Sequence, residues 1–291
     1  MNSHPRAERV RIYRATADRL LAALPDGSID LLLTDPPYAT VDRRSSSGHL
    51  RDWFPGGQSW AAIGRTLAIG RRKLKPTGVA FVMSNGLGLQ EALTAMKRAG
   101  FADVRPITWD RQWPGLGGGL RHQTEFILLG RLPGSRPIGG TDLVSVSAVG
   151  PGTADRYPTE KPVDLGRVIA RMVGIRPGNL VVDPYCGSGA LLVGPAERGA
   201  TVIAGDISPR AIRRATERLS GSIPATRNVA KTKPTAAKQR QAGRAPAAGN
   251  AGNRPADGSA RRQSAGRPDR NGSRPRLAGP ATGRRQKGTA R

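Results

Sequence analysis

Residues 10–219 alternate between short apolar runs and longer amphipathic stretches, and this alternation restricts the folds open to the chain. The runs are as apolar as strands buried on both faces of a parallel sheet, and Gly or Pro ends several of the helical patterns. The strands are predicted at residues 10–13, 29–34, 79–83, 104–109, 125–129, 180–183 and 201–205. The helices are predicted at residues 17–24, 67–74, 89–99, 163–173, 190–198 and 209–219. Together they predict an α/β domain whose sheet is mostly parallel and carries helices on both faces.

Positive charge is concentrated towards the end of the chain. The formal net charge is +26, and residues 221–291 hold 17 Lys and Arg against 2 Asp and Glu. The last aromatic residue is Tyr185, so residues 223–291, rich in Arg, Ala and Pro, have too little apolar surface to offset their ordering entropy. We therefore predict a folded domain over 1–222 and a disordered basic tail over 223–291. The surplus charge favours a polyanionic partner, with simple solubility as the alternative.

Several classes of protein are disfavoured by composition. Cys186 is the only cysteine, so an intrachain disulfide framework is excluded. The polar N-terminus has no signal-peptide pattern, and no apolar stretch reaches the roughly 18 residues of a membrane span. The expectation is a soluble cytoplasmic protein without membrane contact. His4, His49 and His122 lie apart without ligand spacing, so no metal site is predicted.

The first motif, Asp35-Pro36-Pro37-Tyr38, directly follows the predicted strand 29–34. It therefore lies at the carboxyl edge of the sheet, where α/β proteins place ligand sites. Asp35 and the Pro36 carbonyl can accept both N–H bonds of an exocyclic amino group, and Pro37 stiffens the turn. Tyr38 offers a flat face to a flipped base. A tight turn without chemistry is the alternative interpretation.

The second motif combines a buried strand, a Gly-x-Gly turn and a helix. It consists of Asp183, Pro184, Tyr185, Cys186, Gly187, Ser188 and Gly189. Small residues there let a ligand approach the backbone at a helix N-terminus, although the third glycine of the dinucleotide fingerprint is missing. Asp206 follows the strand 201–205, where a carboxylate can bind ribose hydroxyls or, alternatively, begin a helix. Cys186 lies inside the turn and is interpreted as a small buried residue, not as a nucleophile.

The third motif runs from Tyr157 to Pro162 and reads Tyr-Pro-Thr-Glu-Lys-Pro. It directly precedes the predicted helix 163–173. By itself it is typical of a helix start, with Thr159 as the cap and Pro162 in the first turn.

Along the chain the motifs follow in the order 35–38, 157–162 and 183–189. In that order they resemble the motifs of the DNA amino-methyltransferases called the β group, in which the catalytic motif precedes the cofactor motif. The resemblance covers roughly residues 10–219. Shorter supporting stretches lie at residues 24–30, 108–110 and 123–128. The chain departs from the family at Ala15 and Thr16, where a Gly-Asp pair is common and where Asp18 follows two residues later. It departs again at Tyr157, where His is common.

The resemblance implies a seven-stranded, Rossmann-like methyltransferase fold and methyl transfer from S-adenosylmethionine to an amino group in double-stranded DNA. The implied catalytic residues are Asp35, Pro36, Pro37 and Tyr38. The implied cofactor residues are Thr159, Lys161, Pro162, Asp183, Pro184, Tyr185, Cys186, Gly187, Ser188, Gly189 and Asp206.

Asp instead of Ser before Pro-Pro favours adenine N6 over cytosine N4 as the target of the reaction. Related enzymes acting on RNA or on protein glutamine usually carry Asn at position 35. A DNA-binding protein without activity is a further alternative, although the intact Asp35, Tyr38, Gly187 and Gly189 argue against it.

DNA contacts are expected outside these motifs. The candidate residues are Arg43, Arg44, Arg51 and Trp53, in a loop that otherwise reads as a surface loop with one apolar anchor. Residues 130–157 occupy the place of the family's target-recognition region and have few planar side chains, which predicts a short or weakly specific target sequence. The basic tail adds contacts to phosphates without reading sequence. A cognate restriction endonuclease is a candidate partner, and the oligomeric state is left open.

Overall fold

The computed structural model of the protein describes residues 9–38, 57–114, 119–150, 157 and 159–221. These residues form eight strands and six α-helices. The strands are β1 (Val10–Arg14), β2 (Ile29–Thr34), β3 (Leu74–Ser84), β4 (Asp103–Asp110), β5 (Thr124–Arg131), β6 (Leu143–Ser145), β7 (Leu180–Asp183) and β8 (Thr201–Asp206). The helices are α1 (Ala17–Ala22), α2 (Trp60–Lys73), α3 (Leu89–Arg98), α4 (Val163–Val173), α5 (Val193–Glu197) and α6 (Pro209–Leu219). The predicted basic tail, 223–291, lies outside the described residues.

All eight strands form one sheet in the order β1-β8-β7-β2-β3-β5-β4-β6. Only β5 runs against its neighbours, pairing antiparallel with both β3 and β4, while the other pairs are parallel. The chain order reverses between β7 and β2, which lie side by side at the centre. Ligands of open α/β sheets bind at such a reversal, outside the carboxyl ends of the strands. The predicted α/β fold with a mostly parallel sheet is confirmed.

Helices cover both faces of the sheet, as the apolar runs predict. Every residue of β2 is buried, and its side chains alternate between two cores. Leu31 and Leu33 pack in the cluster that contains Leu165 of α4, whereas Leu32 packs with Ile63 of α2 on the opposite face. A strand buried on both sides explains why this run shows no polar alternation.

The structure adds one strand to the seven that were predicted. β6 lies within the segment 130–157, which reads as a loop in the sequence. Val144 and Val146 are buried there, and the Trp109 indole Nε1 donates a hydrogen bond to the Val146 carbonyl at 2.8 Å. Three residues are too few to show a strand periodicity, so this edge strand depends on tertiary packing. A role of 130–157 in target recognition stays a prediction.

The prediction of a helix over 67–74 was wrong at its start, because α2 begins at Trp60. The Ser59 side chain caps it, accepting a hydrogen bond from the Ala62 backbone N–H. Residues 60–66 lie outside the predicted elements. The Ser59 cap and the buried Trp60 indole extend the helix over them by about two turns.

Two further elements begin more than two residues away from the predicted position, while the remaining bounds differ by at most two residues. β3 begins at Leu74 rather than 79, because Leu74 pairs with Ile29 and the Lys75 ammonium binds the buried Asp30 carboxylate at 2.7 Å. The predicted helix 190–198 is a 3₁₀ turn, Ala190–Leu192, followed by α5. Within the described ranges, no helix combines the length and apolar character needed to cross a membrane.

Candidate active site

The first and second motifs meet at the carboxyl ends of the adjacent strands β2 and β7. The Thr34 hydroxyl donates a hydrogen bond to Asp183 Oδ1 at 2.7 Å, and the Tyr185 backbone N–H donates to the same oxygen at 3.0 Å. Asp183 is only 1% exposed, and burial raises the pKa of its carboxyl group to about 8. The two motifs are therefore joined by a buried contact 149 residues apart in sequence.

The third motif reaches the first through a buried lysine. Lys161 Nζ lies 2.6 Å from Asp35 Oδ2 and 3.6 Å from Glu125 Oε2, and Arg111 pairs with the other oxygen of Glu125 at 3.4 Å. Burial raises the pKa of Asp35, and Lys161 opposes that rise. Burial would lower the pKa of the Lys161 ammonium, but the two carboxylates raise it above its usual range. Two cations and two anions thus form a compact group beside the first motif, with no net formal charge.

The Asp35–Tyr38 turn is held from both sides. The Tyr38 N–H donates to the Pro36 carbonyl at 2.9 Å, and the Gln58 N–H donates to the Pro37 carbonyl at 2.6 Å. The Tyr38 ring stacks on Trp60, with 5.6 Å between ring centroids and 13° between planes. One face of the Tyr38 ring is therefore covered by the Trp60 indole.

The second motif makes a tight glycine turn after β7. Gly187 and Gly189 adopt positive φ angles of 51° and 73°, which favour glycine. A Cβ on Gly187 would lie 3.0 Å from the Tyr157 ring, so this position also has no room for a side chain. Asp206 fastens the turn, because its Oδ2 accepts the Gly187 N–H at 3.0 Å.

The structure agrees with one interpretation made from the sequence for Asp206 and with one made for Cys186. Asp206 Oδ1 accepts the Ser208 N–H at 2.8 Å, just before α6, so the alternative of a helix-start acid describes part of its role. Cys186 is buried, and burial raises the pKa of its thiol well above the usual range. That environment fits a small packing residue, since a reactive cysteine needs an accessible thiolate.

The predicted helix start in the third motif was wrong in detail. Pro162 is the N-cap of α4 and Thr159 does not cap it, because Thr159 is exposed with a φ of 57°. Glu160 turns inwards instead, and Arg218 Nη2 of α6 donates to its Oε1 at 2.9 Å. This buried pair fixes the backbone between Thr159 and Lys161 against the last turn of α6.

Gln58 is a site residue that the sequence interpretation missed. Its backbone binds Pro37, and its side-chain Oε1 accepts the Tyr185 hydroxyl at 3.1 Å, so it joins the first and second motifs. The Tyr185 hydroxyl also contacts Thr66, which donates to Asp18. A glutamine at the end of a polar loop carries no pattern that would reveal this role. Glu125, in contrast, lies in the stretch 123–128 that supports the family resemblance.

The four candidate DNA-binding residues lie outside the described residues. They are Arg43, Arg44, Arg51 and Trp53. Their role stays a prediction, as does contact of a cofactor with Thr159, Lys161 and Pro162.

The raised pKa of Asp183 predicts a pH dependence of stability. Between the usual carboxyl value near 4 and the folded value of about 8, the unfolded chain loses a proton that the folded chain retains. Stability should therefore fall as pH rises through this window. Asp183→Asn mimics the protonated acid and should flatten the dependence of Tm on pH. Tm of the cofactor-free protein, measured from pH 5 to 8 for both forms, tests this, and equal slopes would contradict it.

Known proteins with similar sequences are methylases and methyltransferases, although no family model matches the chain. YubD, a candidate methylase of Escherichia coli strain K12, is 25% identical over 215 residues, which are 72% of this chain and 90% of YubD. The type II methyltransferase M2.LlaDCHI of Lactococcus lactis subsp. cremoris is 24% identical over 246 residues. That alignment covers 73% of this chain and 90% of the relative.

Solved structures share the fold. TTHA0409, a candidate DNA modification methylase from Thermus thermophilus solved in complex with S-adenosyl-L-methionine, superposes with a TM-score of 0.55 and 21% identity, over 74% of this chain and 94% of that one. The cytosine-N4-specific PvuII DNA methyltransferase superposes with a TM-score of 0.58 and 18% identity, over 72% and 86%. The homologous proteins are thus methylases and DNA methyltransferases, and the chain fits the DNA amino-methyltransferase family that its three ordered motifs resemble.

Proposed function

We propose that the protein transfers a methyl group from S-adenosylmethionine to the exocyclic N6 of adenine in double-stranded DNA. The observation that carries this proposal is the contact of Lys161 with Asp35, because it brings the third motif onto the carboxylate of the first. The Thr34–Asp183 hydrogen bond adds the second motif to the same sheet edge. Three motifs that are far apart in sequence therefore form one site.

The glycine turn and Asp206 fit an adenosyl cofactor. Gly187 and Gly189 form a tight turn in which a Cβ would press on Tyr157 and Ala215, and Asp206 presents a carboxylate at the end of the neighbouring strand β8. We infer that these residues would hold the nucleoside part of S-adenosylmethionine, with Thr159 and Lys161 nearby. The cofactor, when bound, supplies an electrophilic methyl group on its sulfonium. The distance in sequence between the turn and Asp206 is typical of a carboxylate that binds ribose.

The first motif is arranged to make an amino nitrogen nucleophilic. Asp35 accepts one N–H of the target amino group, and the Pro36 carbonyl, which uses one lone pair on the Tyr38 N–H, accepts the other. The base would stack on the face of the Tyr38 ring that does not contact Trp60. Burial raises the pKa of Tyr38, so the phenol stays neutral and repels no charge. The nitrogen forms its new bond while positive charge grows beside the Asp35 carboxylate, which stabilises that charge.

The choice of base rests on one residue. Asp35 before Pro36-Pro37 favours adenine, whereas the structural similarity to the cytosine-N4-specific PvuII enzyme supports cytosine N4 as the second candidate. Both amino groups need the same pair of acceptors, so the mechanism is unchanged by the choice.

DNA as the substrate agrees with the charge of the chain. The surplus of +26 favours a polyanion, and phosphate contacts of the basic tail would raise affinity without adding sequence specificity. We propose the cytoplasm of a bacterial or phage-infected cell as the place of action. A cognate restriction endonuclease remains a prediction.

Identification of the methylated nucleoside tests the proposal. Purified protein is incubated with S-adenosylmethionine labelled in the methyl group and with unmethylated DNA, and the DNA is digested and analysed by mass. We expect the label in N6-methyl-2′-deoxyadenosine and no label from the Asp35→Ala variant. Label in N4-methyl-2′-deoxycytidine would change the base, and DNA that acquires no label from a protein that binds the cofactor would refute DNA as the substrate.

A further inference from the structure

One buried ammonium group lies between two carboxylates in the candidate active site. Lys161 is 9% exposed, and its Nζ is 2.6 Å from Asp35 Oδ2 but 3.6 Å from Glu125 Oε2. Only the first distance is that of a hydrogen bond. The lysine is therefore bound to one carboxylate while it is within about 1 Å of binding the other.

Glu125 has a carboxylate oxygen that can accept a hydrogen bond from this ammonium. Its Oε2 is buried and has no hydrogen-bond donor among the described residues, while its Oε1 is paired with Arg111 at 3.4 Å. Its backbone is held in the sheet, because β5 pairs Glu125 with Trp109 of β4. A buried carboxylate oxygen that lacks a donor is unfavourable, so a small movement of Lys161 towards Glu125 gains a hydrogen bond.

The proposed reaction supplies a reason for that movement. Positive charge grows on the amino nitrogen as its bond to the methyl carbon forms and the methyl–sulfur bond breaks, with the bonding pair staying on sulfur. An ammonium group on the same carboxylate repels that charge, and the repulsion is strong where water is excluded. Lysine, with its flexible four-carbon chain, can shift its ammonium over this distance without moving the backbone.

We propose that Glu125 is a positioning residue, which receives the Lys161 ammonium when the exocyclic amino group of the target base binds Asp35. Asp35 then keeps its negative charge for the amino nitrogen, and it is the nearest acceptor for the proton that this nitrogen gives up after methylation. Lys161 stays protonated and paired throughout. This inference rests on the proposed function and adds a residue that the three motifs do not contain.

Single-turnover methylation by a set of variants tests the proposal. Glu125→Gln keeps the shape of the side chain but removes its charge, so Lys161 should stay on Asp35. We expect the methylation rate to fall by about tenfold or more, while the affinity for S-adenosylhomocysteine, measured by calorimetry, changes by less than about threefold. Glu125→Asp retains the charge and should restore part of the rate. An unchanged rate in Glu125→Gln would overturn the proposal.

A double-mutant comparison separates this role from simple packing. Lys161→Met removes the ammonium, so in that background Glu125→Gln should alter the rate by less than about twofold. An equal loss in both backgrounds would mean that Glu125 acts without Lys161, which contradicts the proposal.

The position of the ammonium gives a second readout that remains available if Lys161→Met is inactive. In a crystal structure of the wild-type protein with S-adenosylhomocysteine and target DNA, Nζ should lie within about 3.2 Å of Glu125 Oε2. An ammonium that remains on Asp35 alone in this complex would overturn the proposal. Failure of the wild-type protein to methylate any base is a different result: it refutes the proposed function before any Glu125 variant is made.

Discussion

Arg218→Met should destabilise the folded protein by about 3–5 kcal/mol, because it breaks a buried ion pair and takes the guanidinium charge away from the buried Glu160 carboxylate. Arg218 and Glu160 have side chains only 1% and 2% exposed, and they meet at 2.9 Å. A Met at 218 keeps most of the volume but cannot donate to the Glu160 carboxylate. Urea denaturation at pH 7, with both forms fitted to a two-state transition, measures the loss.

Two further variants show whether the charge or the packing matters. Glu160→Met combined with Arg218→Met replaces the whole pair by apolar side chains, and should recover at least half of the lost stability. Arg213 lies on the exposed side of the same helix. Arg213→Met should therefore change the free energy of unfolding by no more than about 0.5 kcal/mol. Equal losses for Arg213→Met and Arg218→Met would contradict a special role of the buried pair.

The buried pair also links stability to the site. Glu160 lies directly before Lys161, so the last turn of α6 holds the backbone that carries the lysine to Asp35. We expect the stable double variant to bind cofactor more weakly than the wild type, because an apolar contact fixes this backbone less strictly than a hydrogen-bonded ion pair.

The central part of the fold could be predicted from the sequence. Strands β2 and β7 and helices α4 and α6 have the predicted bounds, because long apolar runs and sharp Gly or Pro signals leave little choice of secondary structure. β6 and the start of α2 were not predicted. Both depend on contacts made only after folding, namely the burial of Val144 against the sheet edge and of Trp60 beneath Tyr38.

The candidate active site also contains residues that the sequence predicts and residues that it does not. Asp35, Gly187 and Asp206 could be placed at one sheet edge, because each follows a strand or opens a turn with a recognisable spacing. The sequence could not reveal that Lys161 bridges Asp35 and Glu125, since the three residues lie on separate elements and their distances depend on strand order. Gln58 was missed for the same reason.

Asp35→Asn should lower the rate of methyl transfer by about 10²–10³-fold, the size of effect expected when one preorganised electrostatic group is lost at a reacting atom. Asn has the shape of Asp but lacks its charge, and its amide group can turn an N–H towards the amino group that it should bind. Lys161 would lose its closest carboxylate and remain paired with Glu125 alone. The growing positive charge on the target nitrogen would then have no carboxylate at position 35 to stabilise it. Single-turnover kinetics with methyl-labelled cofactor and saturating DNA measure the rate.

Cofactor binding should be nearly unaffected in Asp35→Asn, because the glycine turn follows β7 and Asp206 ends β8, while Asp35 follows β2. A fall in rate with an unchanged dissociation constant for S-adenosylhomocysteine identifies an interaction made during the reaction and not in binding. Asp26→Asn is the matched control, since that carboxylate is exposed on the surface and pairs with Lys73, away from the candidate active site. Its rate should equal that of the wild type. If Asp35→Asn stayed within about threefold of the wild-type rate, Asp35 would not carry the chemistry assigned to it.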